Sequence, residues 1–160
     1  MAKDEPVYEE TFNEDLDIDK KISEGGILAN VFVEVQGNDS KAAEVALRTT
    51  ILERLKAEDY VFLLEARIYD ILKDEEKEFF TGAAEVKIIT RDFRAFMNFI
   101  MRYAPTAIEI LEPHEIKMGS DEMHALVADV SEMTQIYVSQ IVTLMSDPER
   151  RKLYEKMLKK

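Results

Sequence analysis

The chain has no cysteine and no tryptophan, and only two histidines, four prolines and five glycines in 160 residues. Without cysteine there is no disulfide framework, no thiolate zinc site and no thiol nucleophile, and a reducing compartment is the simpler setting. No apolar run approaches the roughly 20 residues that span a bilayer. The opening residues Met1-Ala-Lys-Asp-Glu-Pro lack the basic start and apolar stretch of a signal peptide. A cytoplasmic protein with no membrane contact is expected. The formal net charge of −12 sets the field of the whole protein against polyanions, so no direct nucleic-acid binding is expected either.

Chemistry-bearing motifs are equally sparse. His114 and His124 are the two histidines, and the run His-Glu-Ile-Lys-Met lacks the second imidazole one helical turn on that a zinc-binding HExxH needs. No serine sits in the glycine context of a nucleophile elbow. Asp15-Leu16-Asp17-Ile18-Asp19 alternates oxygen ligands like the start of a calcium loop, yet Lys20-Lys21 replaces the glycine turn and no glutamate closes it. We therefore expect no catalytic residues, no metal site and no cofactor. An enzyme with a site assembled at an oligomer interface is the least favoured reading.

What is present is a core. With 46% hydrophobic and 34% charged residues, the composition fits one globular domain. Residues 1–26 read as an acidic N-terminal arm: nine acidic against three basic residues up to Glu24, a balance of −6, account for half the net charge. Val7, Tyr8, Phe12, Leu16, Ile18 and Ile22 make that arm too apolar for an inert tail. Residues 27–160 read as a single domain with a helical extension over 120–160.

Past Gly25-Gly26, alternation over 27–36 places Ala29, Val31, Val33 and Val35 on one face of a strand. The turn Gly37-Asn38-Asp39-Ser40 supplies N-caps for a helix over 41–58, with Ala43, Val45 or Ala46, Leu47, Ile51, Leu52 and Leu55 on its apolar stripe. Asn38, Ser40 and Lys41 are the candidate ligand-binding residues, because amides at a helix start attract anions, although the run matches neither a P-loop nor a dinucleotide fingerprint. A strand over 60–72 is read with Phe62, Leu64, Ala66 and Ile68 on one face and Val61, Leu63, Glu65, Arg67 and Tyr69 on the other. A polar turn returns it as a strand over 79–90, a long hairpin with Phe79-Phe80 near its tip.

Thr90 or Asp92 can cap a helix over 93–103, which Ala104-Pro105 stops before a short strand over 107–111. The order strand, helix, strand, strand, helix, strand is that of an α+β, ferredoxin-like βαββαβ sandwich with a four-stranded antiparallel sheet. Ser120 or Asp121 opens a 25-residue helix, and Asp147-Pro148 opens a short terminal one. The long helix carries an apolar stripe that needs the open sheet face or a second copy to cover it, and Met133, Tyr137, Ile141 and Met145 are its candidate interface residues.

Residues 85–137, with the run from Val86 to Pro113 followed by His114-Glu115-Ile116 and a polar helix, resemble the ferredoxin-like WCX extension that follows WYL domains in bacterial transcription regulators. The likeness rests on Phe96, Ile100, Tyr103, Pro105, Ile108, Ile110, Leu111, Glu112 and Pro113, with Ala104 where a glycine is usual. It implies ligand sensing and oligomerisation. The expected function is a non-enzymatic regulatory or ligand-binding module acting as a homo-oligomer, its partners being itself and a small-molecule ligand. The alternative is an adaptor or accessory subunit that docks on a larger protein with a basic surface through its acidic arm, hairpin and C-terminal helix.

Overall fold

A computed structural model describes residues 5–159, which fall into two compact units, one running to Lys117 and one beginning at Met118. The first is an α+β unit built on one antiparallel sheet. Its strands are β1 (Tyr8–Thr11), β2 (Ile27–Gly37), β3 (Val61–Ile68), β4 (Leu72–Asp74), β5 (Phe79–Thr90) and β6 (Ala107–Glu112). The spatial order is β1-β3-β5-β2-β6, with β4 beside β5. The sheet thus has six strands where four are expected: the arm contributes β1, and the hairpin is interrupted after Ile68 to resume as β4.

The core lies on one face. Ala29, Val31 and Val33 of β2 and Ala84, Val86 and Ile88 of β5 alternate toward it, as the period-two pattern requires. Over them pack two helical stretches. The first is α2 (Ser40–Arg48), which continues as a π-helical segment (Thr49–Leu55); the second is α3 (Phe93–Tyr103). Ala43, Leu47, Ile51 and Leu55 are the buried residues of the first stretch, spaced four apart throughout. In a pure α-helix such a row drifts by about 40° per step. The wider π-turns rotate less per residue and keep the last two members facing the sheet. Of the two alternatives for the stripe, Ala46 is half-buried and Val45 is exposed. Both helices begin on an aspartate cap: the Asp39 carboxylate accepts from Ala42 N at 2.7 Å and that of Asp92 from Ala95 N at 2.8 Å. At its other end α3 closes with Ala104 in the left-handed region, φ 43°.

The faces of β3 differ from those read in the sequence. The pairing with β5 shifts between Leu63 and Glu65, so Leu64 is an extra residue bulged out of the ladder. Before it Val61 and Leu63 face the core; after it Ala66 and Ile68 do. One inserted residue exchanges the two sides of a strand, which is why Leu63 is buried and Leu64 is not.

The arm divides between the two faces: Tyr8 and Phe12 pack against the core, under Arg48 and Lys56, while α1 lies on the other face. Phe12 N and the Asn13 side-chain amide donate to the carbonyls of Leu64 and Leu63, both at 2.8 Å, so the arm satisfies the backbone at the bulge. Helix α1 (Ile18–Ser23), capped by Asp17, brings Lys21 Nζ to 4.1 Å from the Phe62 ring centroid. Ile89, which pairs with Phe62 and Leu28 on this side, is completely buried. The chain then enters β2 through Gly26, where a Cβ would lie 2.7 Å from Lys21 O and 2.8 Å from Thr90 O, a space only glycine fits.

The second unit holds α4 (Ser120–Leu144) and α5 (Pro148–Leu158). Gly119, not Ser120 or Asp121, occupies the cap position of α4 and offers it no side chain. Asp147 caps α5 with Pro148 in its first turn, as the sequence indicates. Neither helix buries a residue. Among the described residues no helix is long and apolar enough to cross a membrane.

Candidate functional site

On the sheet face opposite α2 and α3, two cross-strand rows carry the polar chemistry of the first unit. One runs Glu9, Arg67, Glu85, Phe32; the other runs Thr11, Glu65, Lys87, Asn30, Glu109. Residues directly opposite in an antiparallel pair stand close enough for their side chains to meet. Arg67 Nε donates to Glu9 Oε1 at 2.8 Å, while its Nη atoms lie 3.8 Å from Glu65 and 3.9 Å from Glu85. Lys87 Nζ is 3.4 Å from Glu65 Oε1. The hydrogen bond to Glu9 holds the Arg67 proton more firmly than usual. Tyr69 Oη donates to Glu85 at 3.1 Å; partial burial, then that bond, raises its pKa. Asn30, Glu65, Arg67, Glu85 and Lys87 enclose a polar cleft of about 120 Å³.

Beside this cleft the arm and the sheet form an open groove of about 370 Å³. Leu16, Ile18, Leu28 and Leu64 are its apolar lining, Phe12 borders it while packing its ring against the core, and Glu65 and Lys87 stand on its rim, shared with the polar cleft. The bulge is what turns Glu65 and Arg67 to this side, and the Asn13 bond to Leu63 fixes the arm against it. An apolar trough ending in a lysine and a carboxylate can accept a small amphipathic molecule.

The family model of the MJ0538 family matches residues 28–156. The chain belongs to the MJ0538 family. The uncharacterized protein MJ0538 of Methanocaldococcus jannaschii is 30% identical over 95 residues, which are 59% of this chain and 35% of that protein. The match thus spans about a third of the length of this relative. No solved structure matches.

The MJ0538-family span runs from the second residue of β2 through β6 and α4 into the last turn of α5, and it includes Leu28, Leu64, Glu65 and Lys87 of the groove; Phe12, Leu16 and Ile18 precede it. Asn38, Ser40 and Lys41 lie elsewhere, at the end of β2 remote from Leu28: Asn38 is on the turn and Ser40 and Lys41 open α2, all three exposed. The Asp39 carboxylate already takes the Ala42 amide there and places negative charge at the helix mouth. Met133, Tyr137 and Ile141 lie on α4 and Met145 forms its C-cap, so the structure keeps these four on one helix. Tyr137 and Ile141 are exposed, and Met133 and Met145 half-buried. Among the described residues no cluster of three or more His, Cys, Asp or Glu could hold a metal ion. The apolar residues of the arm are visible in the sequence but the groove is not, because nothing local says that Leu16 and Ile18 line the same groove as Leu28 and Leu64.

Proposed function

We propose that this protein is a non-enzymatic regulatory or ligand-binding module that acts as a homo-oligomer in the cytoplasm. The observation that carries the reading is α4, a 25-residue helix rich in Val, Ile, Leu and Met that buries none of them. Val127 is 67% and Leu144 84% exposed, and apolar surface on this scale is what protein–protein interfaces cover. The groove lined by Leu16, Ile18, Leu28 and Leu64 supports the ligand-binding half of the reading. We read β2, α2, β3, β5, α3 and β6 as a ferredoxin-like unit to which β1 and β4 are additions; the inner order β3-β5-β2-β6 with antiparallel pairing supports this, and with it the likeness to WCX modules. Native mass spectrometry of the purified protein tests the proposal: a dimer or higher oligomer is expected, with any retained small molecule seen as added mass, and a strict monomer with nothing bound overturns it.

One observation favours an accessory-subunit reading: the curated relative extends well beyond the matched third of its length. A module of this kind serves a larger protein when joined to it. In that case the isolated chain is a monomer in the same measurement.

A further inference from the structure

Residues 123, 126, 130, 133, 137, 140 and 144 of α4 follow an unbroken three-four spacing: Met123, Leu126, Val130, Met133, Tyr137, Gln140 and Leu144. That is the seam by which two helices pack knobs into holes, with Gln140 as its one polar member. Single polar residues in such a seam fix register. Val127 and Ile141, both exposed, broaden the seam on one side.

Charge is distributed along the second unit with a direction. Asp121, Glu122, Asp129 and Glu132 all lie in the first half of α4. From Met133 to Ser146 there is no charged residue at all. From Pro148 to Lys159 the sign reverses, with Arg150, Arg151, Lys152, Lys156 and Lys159 against Glu149 and Glu155. The unit is acidic at one end, neutral through the middle and basic at the other.

Two copies side by side in parallel would set four carboxylates against four carboxylates and the basic segments against each other. Run antiparallel, each acidic half lies along the partner's uncharged half, with the partner's basic α5 just beyond it, and the helix dipoles oppose. The repeat also closes on itself about a twofold axis near Met133, as an isologous interface must.

Resting on the homo-oligomer reading above, we infer that the partner of α4 is α4 of a second copy, packed antiparallel along the Met123–Leu144 seam with the basic α5 of each copy against the acidic start of the other. The two α4 helices cross near Met133, so that residue is adjacent to its own mate. The Met123 pair and the Leu144 pair stand more than about 20 Å apart.

Because the chain has no cysteine, a single introduced thiol reports orientation without background. The full-length variants Met123→Cys, Met133→Cys and Leu144→Cys are treated with a short bis-maleimide and resolved by denaturing electrophoresis, beside native mass spectrometry of each uncrosslinked protein. The expected result is a dimer in every native spectrum and covalent dimer for Met133→Cys alone. Cross-linking of all three variants means a parallel pair and overturns the inference while leaving the oligomer intact. A dimer in which none cross-links places the interface elsewhere and also overturns it. A monomer in the native spectra removes the underlying reading itself.

Discussion

The Asn13 side-chain amide donates to the carbonyl of Leu63 at 2.8 Å, joining residues fifty positions apart at the point where β3 bulges. Asn13 sits at φ 51°, a left-handed conformation that asparagine tolerates better than most residues. The residue therefore does two jobs: it turns the chain after β1 and satisfies a carbonyl the bulge exposes.

These jobs separate by substitution. Asn13→Ala loses the hydrogen bond, at about 1 kcal/mol, and strains the left-handed turn by about 1 kcal/mol more. Asn13→Gly keeps the turn but loses the bond and frees the unfolded chain, by about 0.5 kcal/mol, so it should cost somewhat less than Asn13→Ala. Urea unfolding of both variants checks this, and a larger loss for Asn13→Gly would mean that the strain is smaller than the added freedom of the unfolded chain.

Ala104 closes α3 at φ 43°, a position where glycine carries no Cβ penalty. Ala104→Gly should stabilise the protein by about 1 kcal/mol, the relief of left-handed strain less the added freedom of the unfolded chain. A rise in the urea midpoint at unchanged slope is the expected signature.

Tyr103 donates to Glu58 Oε1 at 2.8 Å, and its ring stacks on Phe99 with centroids 4.8 Å apart. Burial, followed by the bond to Glu58, pushes its pKa from 10.0 up to about 12. A phenol whose pKa is raised on folding holds its proton more tightly in the native state, so the stability it contributes is complete below pH 10 and is lost as pH rises from 10 through 12. Tyr103→Phe should be less stable at pH 8 and should show a shallower loss between pH 10 and 11, measured by urea unfolding at each pH. Tyr69 titrates in the same direction in both proteins, and the difference between them isolates Tyr103.

If α4 pairs with a second copy, placing charge in its seam should separate the copies without unfolding the sheet unit. Val130→Asp combined with Ile141→Asp is expected to halve the native mass while the far-ultraviolet dichroism of the sheet persists. An unchanged mass would mean that neither side chain is covered in the oligomer.

Much of the fold is legible because it is written in local chemistry. The alternation of Ala29, Val31 and Val33 marks a half-buried strand, and Asp92 and Asp147 mark helix starts by the amides they accept from. Reading fails where a contact distant in sequence overrides the local pattern. Leu64 is as apolar as Leu63, so nothing nearby says which of them leaves the ladder; the decision belongs to Phe12 and Asn13, which take the bulge carbonyls. Likewise Tyr8-Glu9-Glu10-Thr11 looks like solvated arm until Arg67 gives Glu9 a partner across the strand. The groove is hidden for the same reason, since its two walls come from segments that only the sheet brings together.

The bond from Tyr103 to Glu58 also has an optical consequence. Without tryptophan, the near-ultraviolet emission of the protein comes from its six tyrosines alone. Three of them, Tyr8, Tyr69 and Tyr103, donate to carboxylates in the folded chain. A carboxylate bound to a phenol quenches its emission, so unfolding, which breaks these three bonds, is expected to raise the signal and to serve as a reporter that needs no label.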